Sequence, residues 1–388
     1  MTADGLQLCT RCVMDTSDPG IFFDDKGLCS HCQRYDSSSR AVVESANRGD
    51  RAGELARLVA TIKDSGRGKP YDCVVGVSGG VDSSYLIRQA VKFGLRPLAV
   101  HFDSGWNSPQ ATQNIENIVQ KLGLDLVTDV VNWTEMQDLQ LAFFRASVAN
   151  CDTPTDFAFP AIAFRQAAKH GIKFILSGSN LATESILPKA WGYNSSDAVH
   201  LKDIHRRFGT TPLRTYPSLG IFKREVWYSR VRAIRTVKML NYMPYVKDDA
   251  KATITAELDW QDYGGKHHES VFTRYFQGYY LPTKFGFDKR RAHLSSLINS
   301  GQMTRVEALE ELSLPPYDQE LREQDHLFIA EKLGLTAAEL DAIVAAEPVS
   351  YREYRNQEWL FNALIGLRTV LRRPRNAAAP PSTAPRPA

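Results

Sequence analysis

Between residues 71 and 178 the chain alternates short apolar runs with amphipathic stretches, and this alternation restricts the fold more than any other feature. "YDCVVGV" is a continuous apolar run of the kind buried on both faces of a parallel sheet. "SYLIRQAVKF" follows with helical spacing and stops at Gly94. "RPLAVHF" reads as a second strand. Ser108 is placed to cap the helix "PQATQNIENIVQKL", with Pro109 at its first position and Gly123 after its last. "LDLVTDVV" and "IKFILSG" supply a third and a fourth strand, and "TEMQDLQLAFFRASVA" and "FPAIAFRQAAKH" read as the helices between them. Such an order implies right-handed crossovers and a doubly wound parallel α/β sheet. Ligands in such sheets sit beyond the carboxyl ends of the strands. The polar, glycine-rich clusters 78–84, 103–108 and 177–180 all fall there.

The first of these clusters is the most informative. In "VVGVSGGVDSSYLIRQA", residues 74–90, a strand ends in Ser78, Gly79 and Gly80 and turns into a helix through Asp82, Ser83 and Ser84. Backbone N–H groups at a helix start, with the helix dipole behind them, bind anions, and glycine lets a phosphate approach the backbone. The serines add hydroxyl groups. No G-x4-G-K-[ST] pattern is present, so the loop is not a Walker A. Asp82 would repel bare phosphate but suits a Mg2+ ion that bridges phosphate oxygens.

Four of the six cysteines, Cys9, Cys12, Cys29 and Cys32, are spaced C-x2-C-x16-C-x2-C. Each C-x2-C turn aims two thiolates at one point, and two turns complete a closed tetrahedral site of four sulfurs for a structural Zn2+. Two disulfides, four unrelated thiols and an iron–sulfur cluster are the alternatives. "MTADGLQLCT" has no apolar signal core and no apolar run is long enough to span a bilayer, so a cytoplasmic setting with reduced thiols is expected. Cys73 lies in an apolar strand and reads as a packing residue. Cys151, in "VANCDTPTDF", precedes a turn and reads either as a reactive thiol or, more commonly for a lone cysteine, as one without a role.

The expected organisation is a four-cysteine zinc module at 1–36, a linker and helix at 37–70, and a nucleotide-binding core at 71–185. A substrate-binding region follows at 186–300, then a helical region at 301–374 and a disordered, Pro- and Ala-rich tail at 375–388. Residues 36–52 read as a mobile linker or weak helix, and "REVWYSRVRAIRTVKML" as one long helix. "ESVFTRYFQGYY" reads as another helix, and "SYREYRNQEWLFNALIGLRTVLRR" as a terminal one. Thr304 with Glu307, and Thr336 with Glu339, form capping boxes. A formal charge of +3 does not by itself imply a polyanionic partner, so neither nucleic acid nor membrane is expected to bind.

"SGGVDSS" resembles the PP-loop of the ATP pyrophosphatases, a superfamily with a HUP-like sheet. These enzymes split ATP between the α- and β-phosphates and transfer AMP to a carbonyl or carboxyl oxygen. "HFDSGWNS" is similar to the element after the second strand in the GMP synthetase branch, which implies ATP contacts for His101 and a Mg2+ or ribose contact for Asp103. "LSGSN" would complete the nucleotide crevice through Gly178 and Asn180. With the four cysteines, "YGGKHHES" and "LPTKFGFDKRRAHLSSLINSGQMTRVEAL", nearly the whole chain resembles the N-acetyl sugar amidotransferases of bacterial surface-polysaccharide and nonulosonic-acid pathways. That resemblance implies ATP, Mg2+ and structural Zn2+, and a nucleotide-linked N-acetyl sugar whose acetamido group becomes acetamidino.

"YGGKHHES" brings Lys266, His267, His268 and Glu269 together. A lysine suits anionic phosphates, and His or Glu can take a proton from ammonia. A polar helix cap is the structural alternative for this cluster. The basic runs Lys223-Arg224 and Lys289-Arg290-Arg291 suit a substrate diphosphate or carboxylate, or simply a solvated face. A glutaminase needs an activated cysteine with a histidine partner, and neither Cys73 nor Cys151 has such a setting. The resemblance supplies ammonia from a separate glutaminase of the histidine-biosynthesis type with a barrel-type companion. A PP-loop tRNA thiolation enzyme and a non-catalytic zinc- and ATP-binding scaffold remain as alternatives.

Overall fold

The computed structural model describes every residue except 1–4, 193, 266, 267, 364, 365 and 367–388. After the cysteine-rich start come α1 (Ser30–Ser38), α2 (Arg40–Asn47) and α3 (Ala52–Ser65). The strand–helix core follows as β1 (Cys73–Gly76), α4 (Val81–Lys92), β2 (Pro97–Asp103), α5 (Pro109–Leu122) and β3 (Leu126–Val130). It continues through α6 (Trp133–Arg145), α7 (Thr153–Lys169), β4 (Phe174–Leu176), α8 (Ala198–Phe208), a π-helix (Lys223–Val231) and β5 (Arg235–Val237).

All five strands are parallel, in the order β3-β2-β1-β4-β5. The chain builds outward from β1 through β2 to β3, then returns to β4 on the other side of β1. The strand order therefore reverses between β1 and β4, and the crevice beyond their carboxyl ends is where a ligand has room between diverging loops. Strand side chains alternate between the two faces of the sheet. Val74, Leu98, Val100, Phe102 and Ile175 enter one core, with α6 and α7, while Cys73, Val75, Ala99, Phe174 and Leu176 enter the other, with α4 and α5. Both faces are thus covered, as near-continuous apolar strands require. Ser108 caps α5 by accepting from Ala111 N at 3.2 Å, and Gly123 ends it in the left-handed region.

The structure decides between two pairs of alternatives, at 36–52 and at Cys151, and corrects one expected helix. Residues 36–52 are largely helical, because Val43 and Ala46 of α2 and Leu55, Val59 and Ile62 of α3 bury an apolar stripe. "REVWYSRVRAIRTVKML" is not one helix. It breaks at Arg232 and Ala233 (φ 54°), and Arg235–Val237 pairs with β4 as the edge strand. The sheet therefore draws on sequence beyond residue 185. Cys151 is fully buried, and desolvation pushes its thiol well above the ordinary range, so it is a packing residue.

Helices complete the chain: α9 (Lys247–Leu258), α10 (Val271–Tyr275), α11 (Leu281–Phe285), α12 (Lys289–Asn299), α13 (Arg305–Ser313), α14 (Gln319–Leu333) and α15 (Ala337–Ala345). A π-turn, Phe276–Tyr280, joins α10 to α11. Both capping boxes form, at Thr304 with Glu307 and at Thr336 with Glu339. The expected terminal helix does not start at Ser350: Tyr351–Glu353 is a single 3-10 turn and helix begins only at residue 358. The rest of that stretch, from residue 367, and the tail at 375–388 lie outside the described residues.

Candidate active site and metal centre

Gly79 takes φ 80°, and a Cβ there would lie 2.6 Å from the carbonyl oxygen of Ala111, so the loop must be glycine at this point. Gly80 is the extended cap residue of α4. Ser78 Oγ accepts from Gly80 N at 3.3 Å and lies 3.3 Å from Ser83 Oγ. Ser84 is buried and donates to the carbonyl of Gly80 at 2.7 Å, so its hydroxyl braces the loop. The first-turn N–H groups of a helix lack intrahelical partners, which leaves the start of α4 suited to an anion.

Asp82 stands in that first turn. Its Oδ1 accepts from Asn180 Nδ2 at 3.1 Å and from the hydroxyl of Tyr245, which is itself buried. Burial, then the negative charge of Asp82, push the Tyr245 phenol well above its ordinary range, so it stays a donor. Two donors on one oxygen orient the carboxylate, and a doubly held carboxylate at a helix start fits a Mg2+–phosphate pair. Gly178 passes close by: a Cβ on it would lie 3.2 Å from Ser83 N. Asn180 is fixed in turn, since its Oδ1 accepts from Thr183 N at 2.9 Å.

His101 and Asp103 shape the neighbouring loop. His101 Nδ1 donates to the carbonyl of Val77 at 2.9 Å, which leaves Nε2 to accept from Asn107 Nδ2 at 2.9 Å. Burial lowers its pKa, so the ring is a neutral strut. Asp103 Oδ1 accepts from Gly105 N at 2.9 Å and from Asn107 Nδ2 at 3.2 Å.

The segment after α9 closes over this loop. Trp260 Nε1 donates to the carbonyl of Gly79 at 2.8 Å, across 181 residues of sequence. Asn107 bridges Ser270, Ser108 N donates to the carbonyl of Glu269 at 2.9 Å, and Val271 N to that of Trp106 at 2.9 Å. A Cβ on Gly80 would therefore lie 3.2 Å from the Tyr263 hydroxyl and 3.3 Å from Glu269 Oε1. Burial, then the charges of Glu269 and Asp82, raise the Tyr263 phenol far above its ordinary range. Of the expected polar cluster, Glu269 is beside the loop and His268 packs over Gly265. Lys266 and His267 lie outside the described residues. Ser270 caps α10 through Thr273 N at 3.2 Å, so helix cap and polar cluster are one feature. Tyr245, Trp260 and Tyr263 carry no motif, and only the aromatic richness of their region pointed to them.

The four N-terminal cysteines are fully buried, with all Sγ atoms within 4.8 Å of one another and Cys12 Sγ 3.7 Å from Cys29 Sγ. A tetrahedral ion with Zn–S distances of about 2.3 Å needs S–S edges of about 3.8 Å, so the donor set fits Zn2+. Arg11 N, Met14 N and Cys29 N point at cysteine sulfurs at 3.4, 3.4 and 3.3 Å, which favours thiolates. The knuckle is docked on the C-terminal third: Val13 N donates to Ser295 Oγ at 3.2 Å, and Arg305 donates to the carbonyls of Cys9 and Cys12, both at 3.2 Å.

Residues 269–367 match a family model described as "LPS biosynthesis protein WbpG-like, C-terminal domain". The match begins at Glu269 and covers the helices that receive the cysteine knuckle. An uncharacterised protein of Methanocaldococcus jannaschii, MJ1599, is 22% identical over 328 residues, 81% of this chain and 96% of that one. The NMN synthetase structure from Francisella tularensis superposes with a TM-score of 0.38 at 15% identity, over 73% of this chain and 96% of that one. Among the described residues no helix is long and apolar enough to cross a membrane.

Proposed function

We propose that this protein is an ATP-dependent amidotransferase that acts on a nucleotide-linked N-acetyl sugar in bacterial surface-glycan synthesis. The acetamido oxygen attacks the α-phosphorus of ATP, and the bond to the β-phosphate breaks to release pyrophosphate. Ammonia adds to the resulting imidate carbon, a proton leaves the nitrogen, and the C–O bond breaks so that AMP departs with the former carbonyl oxygen. An acetamidino group remains. A bound Mg2+ would supply charge neutralisation at the phosphates, and Asp82, held by Asn180 and Tyr245, is the residue to hold it.

The observation that supports this reading is the packing of Trp260, Tyr263 and Glu269 against the glycine loop, with Glu269 Oε1 within reach of Gly80. In this reading the Glu269 carboxylate takes the proton from attacking ammonia. The match of residues 269–367 to the WbpG-like domain supports the glycan setting. Cys73 and Cys151 are both buried with thiols raised by desolvation, which favours ammonia from a partner glutaminase and disfavours tRNA thiolation through either cysteine.

The test is mass spectrometry of a reaction containing an N-acetylated nucleotide sugar, ATP, Mg2+ and ammonia. AMP, pyrophosphate and a product about one mass unit lighter and more basic are expected, since an amidine is far more basic than an amide. Glutamine should serve only with a glutaminase added. ADP as the product, or turnover that depends on tRNA, would overturn the reading.

A further inference from the structure

The π-helix Lys223–Val231 buries only Tyr228, which stacks on Phe164 of α7 at 5.4 Å. Its outer side is not an ordinary solvated face. Phe222 is 73% exposed, Val231 60%, Trp227 48% and Val226 36%. Single exposed apolar residues are commonplace, but four large ones within ten positions form a patch, and patches mark interaction sites. Cations surround it. Residues 222–235 hold five Lys or Arg and one carboxylate, Glu225, although the whole chain has a formal charge of only +3. That carboxylate is paired with Arg224 at 3.0 Å, and Arg230 and Arg232 are exposed beside the apolar side chains.

A second copy of the chain would set this basic surface against itself, which like charges oppose. An ammonia-supplying partner must reach the carboxyl ends of the strands. This helix feeds the opposite edge: Lys173, just before β4, donates to the carbonyl of Arg232 at 2.8 Å, and Arg235 opens β5. Phe, Trp and Val set among Arg and Lys are the side chains that seat a helix in the headgroup layer of an anionic bilayer. We propose that the face spanning Phe222–Arg235 docks the protein peripherally on an anionic lipid surface. This departs from the expectation of no membrane partner, which rested on total charge and so averaged the patch away. The lipid contact itself does not use the proposed reaction; only the exclusion of an ammonia-supplying partner rests on it.

Co-sedimentation of the full chain with phosphatidylcholine vesicles, with and without about one third phosphatidylglycerol, tests it. Binding is expected only to the anionic vesicles, and it should weaken as salt rises to roughly 0.5 M. The double variants Arg230→Glu/Arg232→Glu and Trp227→Ser/Val231→Ser should each reduce the bound fraction about tenfold or more without shifting the melting temperature, because the altered side chains are exposed. No binding at low salt, equal binding to neutral vesicles, or undiminished binding by both variants would overturn the proposal. So would a dimer in light scattering that Trp227→Ser/Val231→Ser disperses, which would make the face a self-interface.

Discussion

Asn180 donates its side-chain N–H to Asp82 Oδ1 at 3.1 Å, and so ties the end of β4 to the helix that starts after β1. The contact crosses the point where the strand order reverses. It makes the candidate ATP loop a property of the sheet topology as well as of the local string.

Asp82→Asn retains an oxygen that can accept from both Asn180 and Tyr245, but it removes the charge. Pyrophosphate release should fall by about 100-fold or more while the melting temperature stays within a few degrees. A variant with full turnover in a coupled pyrophosphate assay would show that Asp82 does not hold the metal.

Gly79→Ala meets two obstacles, a left-handed backbone and the carbonyl of Ala111 at 2.6 Å. We expect a loss of about 1–3 kcal/mol in denaturant unfolding, together with loss of ATP binding by calorimetry. Wild-type ATP affinity in this variant would contradict the loop geometry.

Glu269→Gln keeps the shape beside Gly80 and removes the base. A drop in kcat of about 100-fold, with KM for ATP changed by less than about threefold, is the expected split. A rise in KM alone would assign Glu269 to binding.

Zinc should be found at one ion per chain, and Cys29→Ser should lose it. Because the knuckle receives Arg305 and Ser295, metal loss should also raise hydrogen exchange in α12 and α13. Iron by elemental analysis would replace the zinc assignment.

His200 is fully buried against Tyr354, and desolvation first of all lowers its pKa from 6.5 to about 4. The unfolded chain therefore binds this proton at a higher pH than the folded one. The stabilising contribution is full above about pH 6.5 and is lost as pH falls towards 4, by about 3 kcal/mol in the limit. His200→Gln should flatten the stability-versus-pH curve in that window. An unchanged slope would place the titration elsewhere.

Much of this was legible in the sequence where local chemistry and global fold agree. The cysteine spacing, the apolar strands and the loop from Ser78 to Ser84 each need only neighbouring residues to be read. β5 was missed because Arg235 and Thr236 are exposed at the sheet edge, so no apolar run marks it, and the preceding π-helix blurs the helical period. Tyr245 was missed because its partner, Asp82, lies 163 residues away, and nothing near either residue encodes the pairing.

The docking of the cysteine knuckle on α12 and α13 also has a meaning in time. Val13 leaves the ribosome long before Ser295, its hydrogen-bond partner 282 residues later. At synthesis rates of about 5–20 residues per second, the knuckle sequence waits tens of seconds for the surface it rests on. A metal that closes the knuckle by itself would carry it through that interval, so zinc supply during translation should govern the yield of native protein more than zinc supply afterwards.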